Sequence, residues 1–242
     1  MISLGVDFGG SFIKSGVVYS SGAVAHNPSI ATPNPSTPEN VFNAIKPWIT
    51  PDIQKVGMAI PCAVKDNRAL TSTNVDAGWR SINLKETARE ILGVDCTFIN
   101  DADAAAVAEM SANIDTNGLT ILLTFGTGIG AAMIYNGTLI PNMEFGRMAM
   151  PRGIDTAEEF VSGRARRELG MDWEEYGYRM NIYLQYVCDM FQPDNLIIGG
   201  GVSEEWDSWA HRLVVPCSVH KAKLGNNAGF IGAAQYADGF AN

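Results

Sequence analysis

Three short stretches of this sequence carry residue types and spacings that could do chemistry. In the first, the strand-like run Thr97-Phe98-Ile99 stops at Asn100-Asp101 and gives way at once to an alanine-rich helical segment. That order places Asn100 and Asp101 at the carboxyl end of a strand, where open α/β sheets bind ligands. An aspartate there can cap the helix or accept a proton from a hydroxyl nucleophile, with Asn100 orienting the acceptor. Asp103 points elsewhere on the helix and ranks second. The second stretch is Asp7–Gly16, DFGGSFIKSG. An acid ends a strand, two glycines tighten a turn, and a hydroxyl and a lysine follow. Asp7 suits a metal or its waters, Gly9, Gly10 and Ser11 suit phosphate oxygens, and Lys14 suits negative charge. The alternative is an exposed hairpin with ordinary charges.

The third stretch, Phe125–Gly130, reads FGTGIG. Gly126, Gly128 and Ala131 formally match a loose dinucleotide fingerprint, but that motif must open a helix. Here Asn136-Gly137 marks a hairpin instead. The remaining readings are a plain turn or one whose backbone amides close around a phosphate.

The elements that must position these residues follow from periodicity. Strands are expected over Ile2–Asp7, Phe12–Tyr19, Ala23–Ala31 and Lys55–Ile60, with helices over Val41–Ile49 and Leu84–Leu92. The segment Thr32–Pro38, TPNPSTP, is a loop. In the second half, strands are expected over Leu119–Phe125, Ala131–Tyr135, Thr138–Ile140 and Asn195–Ile198. Helices are expected over Thr156–Leu169, Trp173–Phe191, Val202–Leu213 (capped by Ser203) and Gly229–Phe240, the last packing back on the first lobe. The strand, Phe-Gly-x-Gly turn, strand pattern occurs in both halves, a faint internal duplication. Two α/β lobes are expected, a small one of residues 1–111 with a C-terminal helix at 229–242, and a large one of residues 112–228, with a cleft between them.

Composition excludes several classes. The 242 residues are 46% hydrophobic and 18% charged, too apolar for disorder. Seventeen basic against 26 acidic residues give a net charge of −9, which argues against nucleic-acid or anionic-membrane partners. No apolar run reaches membrane-spanning length, and the N-terminus lacks a signal-peptide pattern. The four cysteines are scattered, so no zinc site is expected and the protein is read as cytoplasmic.

Together these residues resemble the ROK (repressor, open reading frame, kinase) sugar kinases of the actin-like ATPase (ribonuclease H-like) fold, and among them the short polyphosphate glucokinases. The resemblance runs through Asp7–Ser11 with Lys14, Thr73–Asp76 before Trp79, Asn100–Asp103, Leu123–Gly130, Pro141–Glu144 and Gly199–Gly201. It implies transfer of a terminal phosphoryl group from ATP or inorganic polyphosphate, with Mg2+, to the 6-hydroxyl of a hexose. Asp101 would be the general base, with Asn74, Asn100, Glu144 and the residue at Arg147 on the sugar. Gly9, Gly10, Ser11, Thr127, Gly128 and the turn at Gly200 would meet the donor. Mg2+ would be held through the phosphates and Asp7 rather than by a protein cage. Lobe closure on sugar and a homodimer are also implied.

Three positions depart from the family. Glu144-Phe145-Gly146 is followed by Arg147 where histidine is usual, and arginine only donates hydrogen bonds. The family's zinc cysteines do not occur between Arg147 and Glu158, and Cys62 stands where Pro-Gly is usual. A basic track for polyphosphate would draw on Arg147, Arg152, Arg164, Arg166, Arg167, Lys221 and Lys223. Two other readings stand beside the kinase: a non-catalytic sugar sensor, suggested by Arg147, and a phosphate-ester hydrolase. A DNA-binding regulator is not expected. Asp7, Lys14 and Asp101 occurring together favour catalysis, since a sensor needs no base.

Overall fold

The computed structural model describes residues 2–72, 75–112, 116–150 and 156–240. The chain divides into two compact units, Met1–Ser111 with Asn227–Asn242, and Ala112–Asn226.

The first unit is built on a mixed sheet. Strands β1 (Ile2–Phe8) and β2 (Phe12–Tyr19) form an antiparallel hairpin, extended by β3 (Val24–His26) and β4 (Ile30–Ala31), both on β2. Helix α1 (Pro38–Ile45) leads to β5 (Lys55–Ile60), which lies parallel to β1. A small hairpin, β6 (Val64–Lys65) and β7 (Arg68–Ala69), and helix α2 (Leu84–Leu92) precede β8 (Cys96–Asn100), parallel to β5. Helix α3 (Asp101–Ser111) follows directly.

Strand alternation sorts the two faces. Leu4, Val6 and Phe8 of β1 with Val56, Met58 and Ile60 of β5 face Val41, Phe42, Ile45, Leu84 and Ala88 in one buried cluster. The opposite face carries small residues, and the sheet meets a helix made after the second unit. Helix α8 (Ala228–Ala237) packs on β1, β5 and α3. Its backbone comes so close that a Cβ on Gly57 would stand 1.8 Å from the Ala233 carbonyl oxygen, and one on Gly232 would stand 1.7 Å from that of Ala104.

The second unit repeats the sheet order. Strands β9 (Leu119–Phe125), β10 (Ile129–Tyr135) and β11 (Thr138–Met143) form an antiparallel meander. Helices α4 (Ala157–Val161), α5 (Gly163–Glu168) and α6 (Trp173–Phe191) follow. Strand β12 (Asn195–Gly199) then lies parallel to β9, helix α7 (Trp206–Trp209) follows, and β13 (Ser218–Lys221) lies parallel to β12. The orders β3-β2-β1-β5-β8 and β11-β10-β9-β12-β13 match strand for strand in direction, so the duplication read faintly in sequence is plain in topology.

Several expected elements are broken, each for a local reason. The third strand splits because Pro28 has no N–H for the ladder, and Asn27 donates from Nδ2 to Ser15 Oγ at 2.9 Å. Helix α1 ends at Ile45 in a single 3-10 turn containing Pro47, short of Ile49. The helix expected over Thr156–Leu169 is two, because Ser162 turns extended (ψ 161°) and its hydroxyl caps α5 through Ala165 N–H. The helix expected over Val202–Leu213 is a four-residue α-turn between 3-10 turns, and the Ser203 hydroxyl donates back to the Gly200 carbonyl instead of capping forward.

Candidate active site

In the first unit Asp7, one residue before the end of β1, lies directly across from Lys14 on β2. Burial pushes the Asp7 carboxyl up to about 6, with the Lys14 ammonium opposing the rise. The start of α8 lies on this carboxyl: a Cβ on Gly229 would stand 2.6 Å from its Cγ. Beyond Asp7 the chain turns through Gly9, half-buried, and Gly10 and Ser11, both exposed. The turn is closed by Gly9 N–H donating to the Phe12 carbonyl at 3.0 Å.

Across the sheet, Asp7 pairs with Ala59 and Ala59 with Ile99. Ile99 is therefore level with Asp7 two strands away, about 10 Å at ordinary strand spacing, and Asn100 follows it as the last residue of β8, paired with Ile60. The cap of α3 falls to Asn100 and not to Asp101. Asn100 Oδ1 accepts from Ala102 N–H at 2.9 Å and Asp103 N–H at 3.2 Å, while its Nδ2 donates to the Cys62 carbonyl at 3.3 Å. Of the two readings of Asp101, cap or proton acceptor, the cap thus goes to its neighbour. The residue before the first helical position has the geometry to reach the open amides, and Asp101 is already in the first turn. One Asp101 oxygen accepts from Ala102 N–H at 2.9 Å, and an ionised carboxylate offers about four acceptor sites. Burial and then the Asp101 charge push the Cys62 thiol up to about 12, so it stays protonated beside the corner. Asn74 and Arg152 lie outside the described residues.

The second unit brings another set together. At the β9–β10 turn Gly126 N–H donates to the Gly128 carbonyl, and the Gly126 carbonyl accepts from Arg164 N–H, both at 3.0 Å. Thr127 at the tip is exposed and Gly128 half-buried. Gly199 pairs with Thr124 on β9, which brings the next turn alongside. Gly200, at φ 79°, lies against the end of β9, where a Cβ would stand 2.5 Å from Phe125 N and O. Only glycine fits that approach.

One residue there was not singled out from sequence. Glu158, in the first turn of α4, accepts from Ile129 N–H at 3.2 Å. Its carboxylate is so close to Gly128 and Gly146 that a Cβ on either would stand 2.7 Å from Oε1. It thus ties the glycine turn to the 3-10 turn Phe145–Arg147. The only sequence signal was an acid one residue short of the Thr156-x-x-Glu159 capping box, whose members do bond each other. Glu144 precedes the 3-10 turn and Arg147 ends it, and the two form an ion pair, Nε to Oε2 at 3.4 Å, with both side chains about half exposed.

Two further residues of the suggested basic track, one arginine and one lysine, have partners. The Arg166 guanidinium sits 3.6 Å over the Trp173 ring, and Lys223 Nζ donates to the Ala112 carbonyl. Among the described residues no group of three or more His, Cys, Asp or Glu side chains could hold a metal by itself. Asp7 is a single carboxylate of the kind that supports Mg2+ whose other ligands are phosphates and water.

The chain is similar to known proteins over nearly its whole length. The model of the ROK family matches residues 3–149. A polyphosphate glucokinase of Mycobacterium tuberculosis is 36% identical over 241 residues, spanning 95% of this chain and 89% of that protein. The crystal structure of an inorganic polyphosphate/ATP-glucomannokinase from Arthrobacter sp. strain KM superposes with a TM-score of 0.87 at 32% identity, covering 98% of each chain. That of a ROK family glucokinase from Streptomyces griseus, in complex with glucose and AMPPNP, gives 0.83 at 26% identity, covering 99% of this chain and 100% of the other. The fold is the actin-like ATPase fold of these kinases. With a family model across more than half its length and a relative at 36% identity across nearly all of it, the chain belongs to the ROK family.

Proposed function

We propose that the protein is a hexose kinase, glucose being the foremost acceptor, using ATP or inorganic polyphosphate. The observation that carries the mechanism is the division of labour at the β8–α3 corner. Asn100 caps the helix, so the Asp101 carboxylate is not required for that task. In the reaction, the 6-hydroxyl oxygen attacks the terminal phosphorus and the bond from phosphorus to the leaving phosphate oxygen breaks. Asp101 takes the hydroxyl proton. Asn100 has both acceptor sites engaged and one N–H committed to Cys62, so toward a sugar it can only donate. Asn74 and Glu144 are proposed sugar ligands, with Arg147 setting the orientation of Glu144 through their ion pair.

Gly9, Gly10, Ser11 and Lys14 are proposed for donor phosphates from the first unit, and Thr127, Gly128 and Gly200 from the second. Backbone amides at such turns attract anions. Asp7 would hold Mg2+, which neutralises developing charge on the phosphates. No zinc is needed. Among the described residues no helix is long and apolar enough to cross a membrane, and we read the protein as a cytoplasmic homodimer.

The test is a coupled assay with glucose and mannose, each with ATP or polyphosphate plus Mg2+. Turnover with at least one pair is expected, and Asp101→Asn should lower kcat by at least roughly 100-fold with sugar affinity retained. Unchanged turnover in Asp101→Asn would remove Asp101 from the chemistry. EDTA should abolish the activity and Mg2+ alone restore it. The second reading, a sugar sensor without turnover, is favoured by one observation, the engagement of Glu144 by Arg147. It predicts glucose binding by calorimetry with no product from any donor.

A further inference from the structure

We infer that Thr32, the first residue of the proline-rich loop after β4, is a positioning residue for the first glycine turn. The inference rests on the reading of that turn as a donor-phosphate cradle. Thr32 holds the turn on both sides of Gly10: its Oγ1 donates to the Gly9 carbonyl at 2.6 Å, and its N–H donates to the Ser11 carbonyl at 3.0 Å. The Gly9 carbonyl and the Gly10 N–H belong to one planar trans peptide and point in opposite directions. Drawing the Gly9 oxygen to the Thr32 hydroxyl therefore aims the Gly10 N–H away from Thr32. The Ser11 carbonyl fixes the next-but-one peptide plane, that of the Phe12 N–H, in the same manner. A Gly-Gly turn has more conformational freedom than any other pair, and the Gly10 amide, exposed at the tip, has no side chain to orient it. Thr32 supplies that orientation before the anion arrives.

The loop is anchored at its far end too. Ser36 Oγ accepts from Asp76 N–H at 3.2 Å, and the Ser36 carbonyl accepts from Trp79 Nε1 at 2.8 Å. The Trp79 ring in turn packs against Phe8, centroids 5.0 Å apart. The loop is thus tied at Thr32 to the glycine turn and at Ser36 to a buried tryptophan.

The experiment compares Thr32→Val, which keeps the shape and the backbone N–H but removes the hydroxyl, with Thr32→Ser, which keeps the hydroxyl. Initial rates are measured against ATP and polyphosphate at saturating glucose, then against glucose at saturating donor. ATP affinity is measured by calorimetry in parallel. Thr32→Val should raise the donor KM and the ATP Kd roughly tenfold, the worth of one hydrogen bond, with glucose KM at the wild-type level and thermal melting lowered by no more than about 2–4 °C. Thr32→Ser should behave as wild type. A wild-type donor KM in Thr32→Val, an equal loss in Thr32→Ser, or a glucose KM that rises in step with the donor's would each overturn the assignment. Wild-type protein that binds ATP without turnover would sink the kinase reading while the calorimetric comparison still decides the role of Thr32. Wild-type protein that binds neither donor would overturn both.

Discussion

Asp7 and Asp101 are both acids at the ends of parallel strands, yet their surroundings prepare them differently. Burial raises Asp7 to about 6, so it loses its charge over the range just below neutrality. Donor and metal affinity that depend on its ionised form should fall as pH drops through about 6. The kcat/KM profile for ATP should show an acid limb there that Asp7→Asn removes. The stability effect runs the other way. The folded-state value lies above the unfolded 3.8, so the folded protein holds the proton more tightly, and stability declines as pH rises from about 4 to 6. Asp7→Asn should therefore be more stable than wild type at pH 7, by about 1–3 kcal/mol in urea unfolding, with the gain vanishing below pH 4. At the other corner, Asn100→Ala should cost about 1 kcal/mol through the lost cap, and Asn100→Asp should recover it. In sequence only Asp101 was weighed as a cap; the main-chain geometry gives that task to Asn100. Glu158 was invisible for a similar reason, since its partners Ile129, Gly128 and Gly146 are distant in sequence.

At the scale of elements, the strand–turn–strand hairpins of both units were legible because period-two burial and glycine turns are local signals. Strand ends at Phe12–Tyr19, Lys55–Ile60 and Leu119–Phe125 are as expected. The two-residue strands β6 and β7 were not, although Asp66 and Asn67 at φ 50° and 56° form the turn between them. Strand β13 was also missed: largely exposed at the sheet edge, it carries no apolar alternation. What no local signal gives is how closely two elements approach. Gly57 reads as an indifferent residue in a strand, and Gly232 as a weak spot in a helix. In the fold each is a point of backbone contact. Gly57→Ala and Gly232→Ala should each destabilise by at least about 3 kcal/mol or abolish soluble expression, whereas Gly22→Ala, in an open turn with nothing nearby, should cost far less. Denaturant midpoints of the three variants decide this.

For the whole molecule, a net charge of −9 opposes a polyanionic donor, and local basic side chains and backbone amides must offset it. Each phosphate of polyphosphate that is bound should release counterions as nucleic acids do. The KM for polyphosphate should therefore rise more steeply with salt than that for ATP when both are measured over the same range; equal slopes would mean that only the terminal phosphates are held. The return of α8 to the first sheet has a consequence in time. The face of β1 and β5 that α8 covers is synthesised first, and its cover only after Ala112–Asn226. During translation the nascent first unit must wait, uncovered, while the second unit emerges and can fold. A ribosome-stalled chain ending before Ala228 should accordingly show a protease-resistant second unit and a first unit still open to cleavage. In this protein the order of synthesis and the order of completion are reversed.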